Sequence, residues 1–229
     1  MTQRIAQPPS TPTDTDARSP SPLTVCYGGT FDPVHCGHVA AAEDVLRRSG
    51  CETLYVIPNR VSPHRSGPVA TGAQRLAMLS LAFDGESRVR VDAREIERPG
   101  PSYSVDTLAE LRAELGADAA LGWLLGSDAL QSLDRWHDWE RMVTLAHLLV
   151  LDRPGAPAPD SGPVAELVAA CTVTDAVALR AAPAGRVWFV GQRPTAVSSS
   201  QIRARLAAVA GADDAPGADA SADASADAS

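Results

Sequence analysis

Short apolar runs that stop at glycine, proline or a charged residue alternate along this chain with longer stretches of helical periodicity, and no other feature narrows the fold as much. The runs are Leu23–Tyr27, Leu54–Ile57, Val89–Val91, Leu121–Leu125, Leu148–Leu151 and Val187–Val190. Between them, His38–Arg48 reads as an amphipathic helix with Val39, Ala42, Val45 and Leu46 on one face. Further helices are predicted over Thr71–Leu81, Ser104–Leu115 (Val105, Leu108, Leu111 and Leu115 spaced for burial) and Trp136–Leu145. A loop over Pro154–Pro163 leads to a short helix, and a last helix is expected over Ser199–Val209. Most of these strands are apolar on both faces, as a parallel sheet covered by helices on each side requires. Residues 23–210 are therefore expected to form one α/β domain, a doubly wound parallel sheet. Residues 1–22 are Pro/Ser/Thr-rich and 211–229 repeat Ala-Asp-Ala-Ser, so both are expected to be disordered tails without core-forming residues.

Composition removes several classes of function. Hydrophobic residues make up 45% of the 229, enough for a real core. No stretch approaches the ~18 to 20 apolar residues that span a bilayer, and residues 1–22 have no apolar leader segment, so a membrane or secreted protein is not expected. The net charge is −8, and setting aside the five aspartates of 211–229 leaves about −3. A weakly acidic body lacks the basic stripe of a nucleic-acid binder. All twenty basic residues are arginine, which excludes a phosphate-loop lysine, Schiff-base chemistry and pyridoxal attachment. The four cysteines, Cys26, Cys36, Cys51 and Cys171, form no C-x-x-C pair and read as free thiols in a reducing cytoplasm.

Parallel sheets bind ligands beyond the carboxyl ends of their strands, so the residues following each strand carry the chemistry. After the first comes Gly28-Gly29-Thr30-Phe31-Asp32-Pro33-Val34-His35-Cys36-Gly37-His38. The glycines permit a tight turn and close approach of a ligand. His35 and His38, three apart at the start of a helix, can face one point where free N–H groups and the helix dipole already favour an anion. Two imidazole donors there make a phosphate site without lysine, suited to charge building on a phosphoryl group. A structural turn, or a zinc site from His35, Cys36 and His38, are the competing readings; no fourth ligand cluster accompanies the latter.

These eleven residues resemble the H-x-G-H signature of the nucleotidylyltransferase superfamily, in the long form of bacterial nicotinate-nucleotide adenylyltransferases. Four later segments are similar to that family, in its order. Pro58-Asn59-Arg60-Val61-Ser62-Pro63-His64-Arg65 is similar to a loop ending in Pro-Pro-His-Lys/Arg, and Glu97–Leu108 to R-x-G-x-S-Y-T-x-D-T-L. Gly126-Ser127-Asp128-Ala129-Leu130 with Leu133–Trp139 is similar to G-x-D-x-L…L-x-x-W, and Val197–Arg203 to I-S-S-T/S-x-I-R. Taken alone, several have structural explanations: Ser104 or Asp106 as a helix cap, a triple-serine cap at 198–200, and a core tryptophan, which is the role expected for Trp139.

The resemblance implies a Rossmann-like fold and adenylyl transfer from ATP to nicotinate mononucleotide, giving deamido-NAD and pyrophosphate. It implies that His35, His38 and Arg203 are catalytic. Gly28, Gly29, Thr30, Phe31, Gly126, Asp128, Ser199 and Ser200 join them in binding ATP. His64, Arg65, Tyr103, Ser104 and Trp136 contact the acceptor, and Mg2+ accompanies ATP without a protein cage. The sequence departs from the pattern at Cys36 (usually Asn or Tyr), Ser62 (Pro) and Ala196 (often acidic). A sibling transferase such as phosphopantetheine adenylyltransferase, a nucleotide-binding regulator and a zinc module are the alternatives. No helix face carries an extra apolar stripe, so a homo-oligomer is left open.

Overall fold

The computed structural model describes residues 21–61, 67–152, 155–191 and 197–213, with side chains up to 209. Six strands, β1 (Leu23–Gly29), β2 (Thr53–Pro58), β3 (Val89–Val91), β4 (Ala120–Gly126), β5 (His147–Leu151) and β6 (Val187–Phe189), form one sheet in the order β3-β2-β1-β4-β5-β6. Every pairing is parallel. The strand order reverses between β1 and β4, which makes their carboxyl ends the topological switch point of a doubly wound sheet.

Helices α1 (Cys36–Ser49), α2 (Gly72–Ala82), α3 (Arg94–Glu97), α4 (Ser104–Leu115), α5 (Ser127–Leu130), α6 (Trp139–Leu145), α7 (Gly162–Cys171) and α8 (Ser199–Asp213) follow the strands. The pleat of β1 feeds two cores. Val25 and Tyr27 pack with Ala41, Val45 and Leu46 of α1 and Leu79 of α2 on one face. Cys26 on the other face joins Leu108 and Leu111 of α4, Met142 of α6 and Val164 of α7. The complete burial of β4 and β5 agrees with their uninterrupted apolar sequence.

Four segments depart from the expected elements. Trp136–Leu145 is not one helix: Leu133–Arg135 forms a 3-10 turn, Trp136 is extended, and α6 starts at Trp139 after Asp138 at φ 49°. The break turns Trp136 toward the strand ends while Trp139 packs, half-buried, against the core. Neither Ser104 nor Asp106 caps α4, whose cap position is Tyr103 with no side-chain bond. α3 and α5, each four residues long, were below what periodicity detects.

His147, fully buried at the start of β5, ties the far end of the sheet. Its Nε2–H donates to the Ala182 carbonyl at 2.9 Å, and its Nδ1 accepts the Arg186 N–H at 3.0 Å. Burial pushes its pKa down, so the folded ring resists a proton that the unfolded chain binds near pH 6.5. The unfolded state then holds more protons below that pH, and stability falls as acid is added. We expect His147→Gln to flatten the decline in melting temperature between about pH 6.5 and 5; an unchanged slope by thermal denaturation contradicts this.

Candidate active site

A cleft of about 950 Å3 opens at the switch point. Gly28, Gly29, Thr30, Phe31, His35, His38, Tyr103, Ser104, Gly126, Asp128, Trp136, Ser199, Ser200 and Arg203 all line it. Four of the five sequence segments thus converge in space, although they are spread from residue 28 to residue 203, and of the Pro58–Arg65 segment Asn59 lines the same cleft. His64 and Arg65, like the departures Ser62 and Ala196, lie outside the described residues.

The two histidines are built into the start of α1. His35 is its cap, with Nδ1 accepting the Gly37 N–H at 3.1 Å; His38 Nδ1 accepts the His35 N–H at 3.3 Å. Each backbone donor occupies Nδ1, which puts the proton of the neutral ring on Nε2. The rings lie 3.9 Å apart between centroids, inclined by 33°. Phe31 backs them, its ring 5.0 Å from His38 and 5.3 Å from Tyr27, both edge-on. The Phe31 ring is 2% exposed and packs edge-on against His38 where the residue lines the cleft.

Gly28, near the end of β1, is required by a neighbour within the fold. A Cβ there would stand 2.5 Å from the Trp123 ring, so its absence lets that indole lie across the end of β1 and form part of the cleft wall. Thr30 is held from below by Arg75, whose Nη1 donates to the Thr30 carbonyl at 2.8 Å, and its hydroxyl accepts from Asn59 Nδ2 at 3.3 Å.

The last helix meets this loop across the cleft, and its three serines have separate tasks. Ser198 caps α8 by accepting the Gln201 N–H at 3.3 Å, and Ser199 Oγ donates to the Pro33 carbonyl at 2.9 Å. Ser200 Oγ accepts from Arg203 Nη2 at 3.3 Å. Arg203 Nη1 also donates to the Asp32 carbonyl at 2.5 Å and stands 3.9 Å from its carboxylate. That carboxylate is already engaged, accepting the Val69 and Ala70 N–H groups at 2.8 and 2.9 Å. One end of the cleft therefore presents imidazole, guanidinium and hydroxyl donors around the start of a helix, an arrangement for a polyphosphate.

The other end is aromatic. The Tyr103 ring packs 4.3 Å from the His137 ring at 34°, with Trp136 in the same wall. No group of three or more His, Cys, Asp or Glu side chains that could hold a metal occurs among the described residues. No helix among them is long and apolar enough to cross a membrane.

The pattern of the cytidylyltransferase-like family matches residues 26–205. The probable nicotinate-nucleotide adenylyltransferase of Pseudomonas paraeruginosa is 46% identical over 180 residues, covering 79% of this chain and 84% of the relative. That of Marinobacter nauticus is 41% identical over 186 residues, covering 81% and 86%. The chain belongs to the cytidylyltransferase-like family, among its nicotinate-nucleotide adenylyltransferases. Its fold also matches Plasmodium falciparum nicotinic acid mononucleotide adenylyltransferase complexed with NaAD, with a TM-score of 0.61 over 81% of this chain and 84% of that one, at 16% identity.

In this adenylyltransferase-family chain, sequence reasoning missed Glu95, Trp123 and His137, all in the cleft wall. Trp123 sits in mid-strand, where an aromatic reads as core. His137 adjoins Trp136 in the segment mistaken for continuous helix, and Glu95 lies on a helix too short to announce itself.

Proposed function

We propose that the chain transfers the adenylyl group of ATP to nicotinate mononucleotide, releasing pyrophosphate and forming deamido-NAD for NAD biosynthesis. The observation that carries this reading is the convergence of the two Nε2–H imidazole donors with Arg203 and the start of α8 on one cleft, facing an aromatic wall. The identity with probable nicotinate-nucleotide adenylyltransferases supports the choice of reaction.

The acceptor's 5′-phosphate attacks the α-phosphorus of ATP in line, one P–O bond forming as that to pyrophosphate breaks. A phosphate monoester is ionised at neutral pH, so neither a general base nor a covalent intermediate is needed, and catalysis consists of positioning and charge stabilisation. His35 and His38 donate from Nε2 to the reacting phosphates. Arg203, Ser199 and Ser200 hold the departing end, and Gly28, Gly29 and Thr30 shape the turn against the nucleotide. Gly126 lets adenosine approach β4, with Asp128 beside the ribose. Tyr103, Ser104 and Trp136 form the acceptor's wall, and His64 and Arg65 belong to the same reading. The side chains here fit a Mg2+ ion carried in by the nucleotide, since Asp32, the carboxylate nearest Arg203, is taken up by two backbone amides. That ion would neutralise charge on the phosphates. Residues 23–210 are the catalytic unit in this reading, with 1–22 and 211–229 outside the chemistry. Four unpaired cysteines among the described residues suit a cytoplasmic enzyme.

Purified protein with Mg-ATP is expected to release pyrophosphate strongly with nicotinate mononucleotide and weakly or not at all with nicotinamide mononucleotide or phosphopantetheine. Release with another acceptor alone would move the chain to a sibling activity, and release with none would leave a binding protein.

A further inference from the structure

An arginine occupies a core position on α2. The buried residues of that helix are Arg75 and Leu79, one turn apart, and Arg75 is only 1% exposed. Its Nη1 donates to the Thr30 carbonyl at 2.8 Å, while its Nε is buried with no hydrogen-bond partner. Asp32, the carboxylate whose charge acts on it, already accepts the Val69 and Ala70 N–H groups and stands 3.9 Å from Arg203. A cation buried with so little to offset it is costly, and burial pushes its pKa down. An arginine starts from so high a value that it stays charged. An apolar side chain would fill the position without that cost, so packing alone does not account for a guanidinium here.

The turn that Arg75 holds supplies the reason. Phe31 has φ 48°, in the left-handed region, which a bulky residue keeps only where its surroundings over-determine it. The Thr30–Phe31 peptide is trans, so a carbonyl fixed toward Arg75 turns the Phe31 N–H the opposite way. That N–H meets no acceptor among the described residues, and Thr30 and Phe31 both line the cleft beside His35 and His38. Asn59 holds the same turn from the end of β2. Its N–H donates to the Gly29 carbonyl at 2.9 Å and its Nδ2 to the Thr30 hydroxyl at 3.3 Å, while its Oδ1 is buried without a partner. Among the described residues, the two side chains with a buried, unpartnered polar atom are therefore the two that fix Thr30.

We propose that Arg75 is a positioning residue for the polyphosphate: by holding the Thr30 carbonyl it aims the Phe31 N–H into the cleft as a preorganised donor to a phosphoryl oxygen, and its own charge behind the turn adds to the attraction. This rests on the adenylyl-transfer reading for the identity of the nucleotide. Arg75 acts through the Thr30–Phe31 peptide and does not touch the reacting atoms.

The test is titration of the full-length wild type, Arg75→Met and Arg75→Lys with a non-hydrolysable ATP analogue, alongside steady-state pyrophosphate release and thermal denaturation of each protein. Arg75→Met fills the core without charge or donor. It is expected to weaken analogue binding and raise the KM for ATP about 10-fold or more, the scale of a lost hydrogen bond to a charged group. The KM for nicotinate mononucleotide should stay within about 2-fold of wild type. Arg75→Lys keeps the charge and a donor and is expected to recover part of the affinity, which a need for bulk alone would not produce. Unchanged affinity for the analogue in Arg75→Met, whatever its melting temperature, would overturn the proposal, as would equal rises in both KM values. Should Arg75→Met not fold, isotope-labelled wild type decides: the Phe31 amide proton is expected to move downfield when the analogue binds, and an unmoved resonance refutes the role. A wild type that binds the analogue but releases no pyrophosphate with nicotinate mononucleotide is a separate result, which refutes the underlying reaction and not the positioning.

Discussion

Replacing His38 with alanine is expected to lower kcat/KM by on the order of 10²-fold or more, the scale seen when one preorganised donor to a developing charge is removed. The loss follows from which nitrogen carries the proton. Nδ1 is occupied by the His35 N–H, so the proton is carried by Nε2, and Nε2 is the donor offered to a phosphoryl oxygen. Alanine also deletes one half of the reciprocal cap of α1. His38→Asn separates the two effects, because its carbonyl can still accept the His35 N–H while its reach stops short of the Nε2 position. The account expects His38→Asn to melt near the wild-type temperature and to stay as impaired as alanine. Recovery of activity with the cap would assign His38 a structural role only.

Arg203→Ala is expected to raise the KM for ATP and to lower kcat/KM for ATP by about 10- to 100-fold, as for loss of a charged hydrogen bond. Its guanidinium joins the Asp32 carbonyl on the β1–α1 turn to Ser200 on α8, so it ties the two sides of the cleft, and in the proposed reaction it also faces the polyphosphate. Arg203→Lys keeps the charge and loses the planar fork that reaches both partners. It should recover part of the affinity for ATP and little of the rate. Titration with a non-hydrolysable ATP analogue checks the binding component directly. An alanine variant that binds the analogue as tightly as wild type would remove Arg203 from the polyphosphate site.

The fold was readable where burial leaves one choice. β4 and β5 lie inside the sheet with both faces covered, so an uninterrupted apolar run could be nothing else in a chain of this pattern. That the glycines ending β1 and β4 and the His35–His38 pair face one cleft was readable because they follow the carboxyl ends of parallel strands, where such sheets open a crevice. What escaped was short or local in geometry. α3 has four residues and no period, so Glu95 looked like one more surface acid. Asp138 at φ 49° breaks a stretch whose apolar spacing reads as helix, and only that break turns Trp136 into the cleft. The division of labour among Ser198, Ser199 and Ser200 depends on which hydroxyl meets Pro33, Gln201 or Arg203 across the cleft. Three consecutive serines carry no sign of that.

Direct transfer of the adenylyl group within this cleft is tested by the fate of ATP labelled at the α-phosphate. With nicotinate mononucleotide, the account predicts that the label passes into the dinucleotide as one pyrophosphate is released per molecule formed, and that without the acceptor no label stays on the protein. Label appearing as AMP, or held covalently by the protein in the absence of acceptor, would contradict it.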